Sequence, residues 1–376
     1  MDSQRVWAEI SLPNLIQNYK EVRKLVGNRQ IMAVVKANAY GHGAAKIASV
    51  LQNEGADRFA VATIDEAEKL RMAGITVPVM ILGATHAGAA KLLLEYDIIQ
   101  NVYSLEEAEA LSKELGGSRG RLKVHVKVDT GMSRLGFISE GGAGMAAEEI
   151  EKVFELKNLE VEGMFTHFAT SEVIDDDFSR VQLQKFREVA DELTKRGRCP
   201  AVLHAANSGA VINMPEAYFD MVRPGIILYG LYPGVNLESR LQLKPVMSLH
   251  TRITQIHNFE NSVTVSYGRT YETKGRSRIA VVAIGYADGL HRTLSNKLEV
   301  LVRGRRVRQI GNICMDMMML DITGMDDVQE GDIVTIFGTD GDEEITLDEL
   351  ARKIGTINYE LMCSLSDRVE RIYIEG

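Results

Sequence analysis

Between residues 31 and 230 the chain switches eight times from a short, apolar, strand-like run to a longer intervening segment. The runs lie near 31–36, 58–63, 77–83, 97–103, 121–129, 160–168, 201–206 and 219–223. Segments between them, such as 43–53, 105–115 and 177–195, place apolar residues three and four apart, the spacing of an amphipathic helix. Eight strand-helix units in roughly 200 residues predict an α/β fold of the (β/α)8 TIM-barrel type rather than an open, doubly wound sheet.

After Pro233 the pattern changes. Alternating runs at 247–257, 262–267, 278–284, 298–302, 305–310 and 332–336 follow without long helices between them, as in a mostly β domain. Arg303-Gly304 reads as a hairpin turn, and Thr346 with Glu349 three residues on reads as a capping box for a short helix that Gly355 ends. At 376 residues the chain suits two domains. The expected division is a barrel over 11–235 and a β domain over 236–376, with residues 1–10 as an N-terminal strand.

Composition narrows the function. A formal net charge of -9 disfavours a nucleic-acid or anionic-membrane partner, since both attract a positive field. No stretch of about 18 consecutive apolar residues and no leader-like apolar run near the start is present, so a cytoplasmic location is expected. Cys199, Cys314 and Cys363 are odd in number and widely spaced, which predicts free thiols and neither a disulfide framework nor a zinc site. No metal is expected. Residues 340–344 lack the ligand spacing of a calcium loop, and the glycines at 141, 142 and 144 read as a loop rather than a dinucleotide site. Arg303, Arg305, Arg306 and Arg308 read as a solvated face.

The barrel rule places the chemistry. Catalytic groups of such barrels stand at the C-terminal ends of strands, and phosphate is often held after strands seven and eight. Lys36 closes the first run, Arg134 follows the fifth, His167 ends the sixth, Asn207-Ser208 follow the seventh and Arg223-Pro224-Gly225 follow the eighth. All converge on one mouth. A lysine at the inner end of an apolar strand is costly unless paired or used, and a lysine perturbed by burial is the usual Schiff-base nucleophile. Ser208 can offer a hydroxyl and an amide to phosphate while Gly225 lets backbone approach it.

These residues also carry a resemblance. AVVKANAYGHG at 33–43 resembles the cofactor-lysine signature of the alanine racemase family. KVDTGMSRLG at 127–136, Phe165-Thr166-His167, Asn207-Ser208, MVRPG at 221–225, Ser266-Tyr267-Gly268, GYADG at 285–289, Cys314-Met315-Asp316 and GTINYE at 355–360 follow in the family's order. The likeness spans essentially the whole chain. It implies an isomerase that interconverts L- and D-alanine with pyridoxal 5'-phosphate held by Lys36, supplying D-alanine for cell-wall peptidoglycan.

By the resemblance Tyr40, Tyr359, Ser208, Gly225 and Ile226 hold the phosphate and Arg223 faces the pyridine nitrogen. Arginine there makes the ring a weaker electron sink than a carboxylate would, which favours racemisation. Tyr267 is the second base, contributed by the other subunit of a homodimer together with Met315, whose backbone helps hold the substrate carboxylate. A tyrosine pKa near 10 needs positive neighbours to serve as a base, and His167 and Arg223 are the candidates. Arg134 fixes the cofactor's phenolic oxygen and the substrate carboxylate, oriented by a carbamylated Lys127. Tyr286 narrows the entry towards a small side chain, and Asp316 is kept as a supporting residue. The chain departs from the family at Asn312 and Met317, where arginine and glutamine are more usual. Three alternatives remain: a serine or broad-specificity racemase, a decarboxylase on the same barrel, which Arg223 disfavours, and a non-enzymatic pyridoxal-phosphate carrier, which Tyr267 and the β domain disfavour.

Overall fold

The computed structural model describes residues 4–234, 237 and 240–375. The expected domain boundary at 235–236 and the first three residues lie outside the described residues. By its contacts the chain forms two compact units, one of Asn14–Ala39 and Gly43–Lys244, the other of Met1–Pro13, Tyr40–His42 and Pro245–Gly376.

The first unit is a parallel eight-stranded barrel with its helices outside. Its strands are Gln30–Val34, Arg58–Val61, Val79–Ile81, Ile98–Val102, Leu122–Asp129, Leu159–Phe165, Val202–His204 and Met221–Val222, and the first seven pair in chain order. The last strand returns to the first in the register Met221↔Gln30 and Val222↔Ile31. Between the seventh and eighth strands, Asp220 N donates to Leu203 O at 3.1 Å and Arg223 N to Ala206 O at 2.9 Å, which closes the ring. Strands covered on both faces read as continuous apolar runs, and Arg58–Val61 and Ile98–Val102 are buried at every position. Side-chain caps start the outer helices. Thr63, Ser104 and Asp176 each accept a backbone amide three residues on, and Asp176 opens the long helix Asp177–Lys195. The glycines at 141–144 differ from expectation. Gly142, at φ 107°, is the N-cap of the helix Ala143–Phe154, so Gly144 is helical and only the first two glycines are loop.

The second unit is built on a nine-stranded sheet. Val6–Ser11 lies inside it, antiparallel to Met247–Phe259 and parallel to Glu370–Ile374. Arg303 and Gly304, at φ 51° and 69°, form the hairpin turn that aligns Val302 with Arg305. Thr346 caps Leu347–Ile354 by accepting Glu349 N, and Gly355 ends that helix in the left-handed region. The expected run at 262–267 shrinks to Thr264–Val265, paired with Tyr271–Glu272, because the backbone leaves the strand at Ser266. Strands Met318–Asp321, Glu343–Ile345 and Glu370–Ile374 add to the predicted set. The arginines are exposed but not bare. Arg303 pairs with Asp332, Arg305 with Asp327 and Arg306 with Glu349, contacts worth about 0–1 kcal/mol each.

Candidate active site

Only Val35 separates Lys36, half-buried, from the end of the first barrel strand, and Val35 N still donates to Ala60 O at 2.9 Å. The chain then turns the wrong way. Ala37, Asn38, Ala39 and Tyr40 have φ of 51°, 53°, 54° and 51°, a left-handed turn made without glycine. For L-residues this costs roughly 1–2 kcal/mol each, so other contacts must offset it. Asn38 Oδ1 accepts Ala44 N at 2.8 Å, and the Glu66 carboxylate accepts Ala37 N at 2.6 Å and Ala62 N at 2.7 Å.

Arg134 stands on a loop organised by Asp129. That carboxylate accepts the amides of Gly131, Ser133 and Arg134 at 2.9, 3.1 and 3.0 Å. Gly136, at φ 135°, brings the loop back so closely that a Cβ would lie 2.5 Å from Asp129 N. The Arg134 side chain is left exposed. Lys127, two residues before Asp129, is only 4% exposed, which removes the reading of it as a solvated lysine. Burial, reinforced by Arg134 and Arg223, lowers its pKa to about 8.

His167 senses all of these groups. Burial first, and then the charges of Arg223, Arg134, Lys127 and Lys36, hold its pKa well below the ordinary histidine value. The imidazole is therefore neutral near pH 7, and the expectation of a cationic His167 is corrected. Any positive support for a phenolate falls to arginine. Arg223 is 3% exposed and its pKa is lowered by burial to about 9, still above neutrality. It donates to Thr166 O at 2.7 Å and Ala205 O at 2.9 Å and lies 3.5 Å from His167 Nδ1. Asn207 caps the short helix Ser208–Asn213, and Ser208 Oγ accepts Gly225 N at 2.8 Å, with Ile226 buried beyond it.

Behind Arg223 runs a polar chain that the sequence reading missed. Arg223 Nη1 donates to His204 Nδ1 at 2.8 Å, His204 Nε2 lies 2.7 Å from His125 Nδ1, and His125 Nε2 lies 2.9 Å from Glu162 Oε2. Since arginine only donates, both imidazoles must be neutral and pass a hydrogen bond inward. Burial lowers both histidine pKa values, in agreement. The hydrogen bond from His125 helps hold Glu162 at about 2, and Arg58 closes the chain on the same carboxylate at 2.5 Å. The available sequence signal was the spacing of His125 and Lys127, two apart and so on one face of a strand.

The remaining predicted residues belong to the second unit. Tyr267 is 72% exposed and Met315 52%. Ser266 has φ 66°; its hydroxyl donates to Asn312 O at 2.6 Å, and Asn312 Nδ2 donates to Tyr267 O at 2.7 Å. Tyr286 N donates to Cys314 O, and Ala287 N to Met315 O, so the GYADG and Cys314–Asp316 segments are tied together. Asp316 pairs with Arg368 at 2.7 Å. The Tyr40 and Tyr359 rings pack 6.0 Å apart, and burial raises the Tyr40 pKa.

Lys36, Lys127, Arg134 and Arg223 thus form a local excess of positive charge around a neutral histidine. That set fits a small anionic cofactor bearing phosphate and phenolic oxygens, and the Ser208 hydroxyl with its neighbouring amide fits the phosphate itself. Fold and site define a barrel enzyme of the lysine, pyridoxal-phosphate class.

The comparisons narrow the class. The family description "Alanine racemase, N-terminal domain" matches residues 10–233, and "Alanine racemase, C-terminal domain" matches 246–373. An alanine racemase of Methanococcus maripaludis is 46% identical over 376 residues, covering 100% of both chains. Alanine racemase 2 of Caldanaerobacter subterraneus subsp. tengcongensis is 44% identical, covering 97% of this chain and 94% of its own. Among solved structures, alanine racemase from Clostridium difficile 630 superimposes with a TM-score of 0.95 at 38% identity, covering 100% and 97% of the two chains. That of Bacillus anthracis, with bound L-Ala-P, gives 0.94 at 37% identity, covering 99% and 96%. The chain belongs to the alanine racemase family, pyridoxal-phosphate isomerases that interconvert the enantiomers of alanine.

Proposed function

We propose that this chain racemises alanine with Lys36 and Tyr267 as bases on opposite faces of the substrate Cα, in a site completed by a second copy of the chain. When bound, pyridoxal 5'-phosphate supplies the electron-withdrawing ring that makes the Cα proton acidic. Inversion needs a proton removed from one face and another delivered to the opposite face, so two bases are required. Lys36 Nζ serves one face and the Tyr267 hydroxyl the other. Arg223 donates to the ring nitrogen, its orientation fixed by His204 and two backbone carbonyls.

Arg134 and the Met315 amide receive the substrate carboxylate. Tyr40, Asn207, Ser208, Gly225, Ile226 and Tyr359 hold the phosphate end, with His167 beside Arg223. Lys127, carbamylated, turns a repelling charge into one that orients Arg134. Tyr286 and Asp316 shape the entry for a methyl side chain. The observation that carries this reading is the gathering of Lys36, Arg134, Lys127 and Arg223 on one neutral histidine.

The proposed barrel domain spans 11–235 and the β domain 236–376 with 1–10. Three unbridged cysteines support a reducing, cytoplasmic setting, where D-alanine would feed peptidoglycan synthesis. Among the described residues no helix is long and apolar enough to cross a membrane. The test is a chiral assay of the holoenzyme with L-alanine and L-serine offered separately. Rapid D-alanine with slow D-serine is expected; no D-product from either, with cofactor bound, would overturn the reading.

A further inference from the structure

The geometry points to Glu66 as a positioning residue for Lys36, acting by clamping the left-handed turn Ala37–Tyr40 to the end of the neighbouring strand. This rests on the reading of Lys36 as the cofactor lysine. Strained φ values persist only where the surroundings over-determine them, and here the strain begins at the residue next to Lys36. One oxygen of Glu66 accepts Ala37 N and the other accepts Ala62 N, just after the strand Arg58–Val61. A single carboxylate therefore bridges two strand ends with charge-assisted bonds, the stronger kind.

The bland reading is that Glu66 only finishes a helix cap. Thr63-x-x-Glu66 has the capping-box pattern, with Thr63 accepting Glu66 N. The same pattern recurs in the barrel at Ser104-x-x-Glu107, which serves as an internal control. Glu107 Oε2 accepts the amide of Tyr103, the residue before the cap, as Glu66 Oε2 accepts that of Ala62. Their other oxygens differ. Glu107 Oε1 is buried without a hydrogen-bond partner, whereas Glu66 Oε1 reaches across to Ala37 N. Capping accounts for the shared bond and not for the second, which Glu66 makes only to the Lys36 turn.

Glu66→Gln preserves size but turns an NH2 group towards one of two backbone N–H groups, so at least one bond is lost. In the holoenzyme it should lower kcat about tenfold to hundredfold with KM for alanine little changed. Cofactor should also leave faster on dialysis, followed by the absorbance of bound cofactor, and the pH profile of kcat should shift. Glu66→Asp, too short to span both amides, should fall between parent and Glu66→Gln. Glu107→Gln, at the equivalent cap, should change melting temperature without changing kcat or cofactor release.

Parent-like kcat, cofactor release and pH profile in Glu66→Gln would overturn the proposal. So would parallel losses in Glu66→Gln and Glu107→Gln that track melting temperature alone. Failure of the Lys36 reading is separable: borohydride fixation of the cofactor followed by peptide mapping would then find it on another lysine.

Discussion

The two proposed bases stand on turns of the same kind in opposite surroundings. Lys36 precedes four residues of left-handed backbone, clamped by Glu66 and Asn38 at the mouth of a closed barrel. Tyr267 sits between Ser266 at φ 66° and Gly268 at φ 70°, held by Asn312, with its side chain 72% exposed. The barrel thus prepares one base within its own unit. The β unit fixes only the backbone of the other. A phenol in water is a poor base near neutrality, so Tyr267 becomes useful when something else excludes water and supplies positive charge. A second copy of the chain is the proposed source of both.

The most severe test of that difference is complementation. Lys36→Ala and Tyr267→Ala homo-oligomers should each lose activity by about three orders of magnitude or more. Mixed under exchange conditions, they should regain a measurable fraction, because one of the two sites in a mixed dimer keeps both bases. Proven mixed dimers without regained activity would place both bases in one chain. Next in size is Tyr267→Phe. It should retain cofactor and lose Cα proton exchange with solvent at one face by about 10²–10⁴-fold, leaving the other face slowed far less. Equal losses from both enantiomers would break the assignment of the two residues to two faces.

The same contrast explains what the sequence could reveal. Barrel strands covered on both sides are legible as apolar runs, and the rule that chemistry follows strand ends located Lys36, Arg134, His167, Ser208 and Arg223 without their partners. Glu343–Ile345 and Glu370–Ile374 escaped because they are the two edges of the nine-stranded sheet, where charged residues are expected and apolar alternation fades. The left-handed form of the turn after Lys36 escaped for another reason. Ala-Asn-Ala-Tyr contains no glycine, and one of the bonds that support its left-handed form comes from a carboxylate 29 positions from Ala37. His125, Glu162 and His204 lie far apart in sequence, and only the barrel makes them consecutive. Tyr267 was marked by the resemblance, since local pattern alone reads it as a half-buried sheet residue.

The electrostatics of the barrel mouth give a pH-dependent prediction. Lys127 has a folded pKa of about 8, against about 10.4 in an unfolded chain. Between those values the unfolded state binds more protons, so stability from this group rises with pH; below about 8 both states are protonated and the penalty is complete. With Lys127 kept as the free amine in carbon-dioxide-free buffer, apo Lys127→Met should therefore be more stable than the parent near pH 7, by at most about 3 kcal/mol, with the gap closing from about pH 8 to 10. Paired thermal or urea unfolding across that range checks it. A gap that is constant with pH would mean that Lys127 has the same pKa folded and unfolded, or that its methylene stem carries the effect.

The smallest expected effect is the sharpest discriminator between the two turns. Asn312 donates through Nδ2 to the Tyr267 carbonyl at 2.7 Å, and its own carbonyl accepts the Ser266 hydroxyl at 2.6 Å. Asn312→Ala removes the first bond and leaves the second, because the second uses backbone. A neutral hydrogen bond of about 1 kcal/mol corresponds to roughly a fivefold change in rate. The loss should fall on the enantiomer whose proton exchange Tyr267→Phe abolishes, read as deuterium uptake from heavy water at Cα, and leave the opposite face near the parent rate. Glu66→Gln should produce the reverse asymmetry, because its bond to Ala37 holds the Lys36 turn. If both variants slowed the same face, the two turns would not be independent supports for two bases, and one shared motion would have to position both.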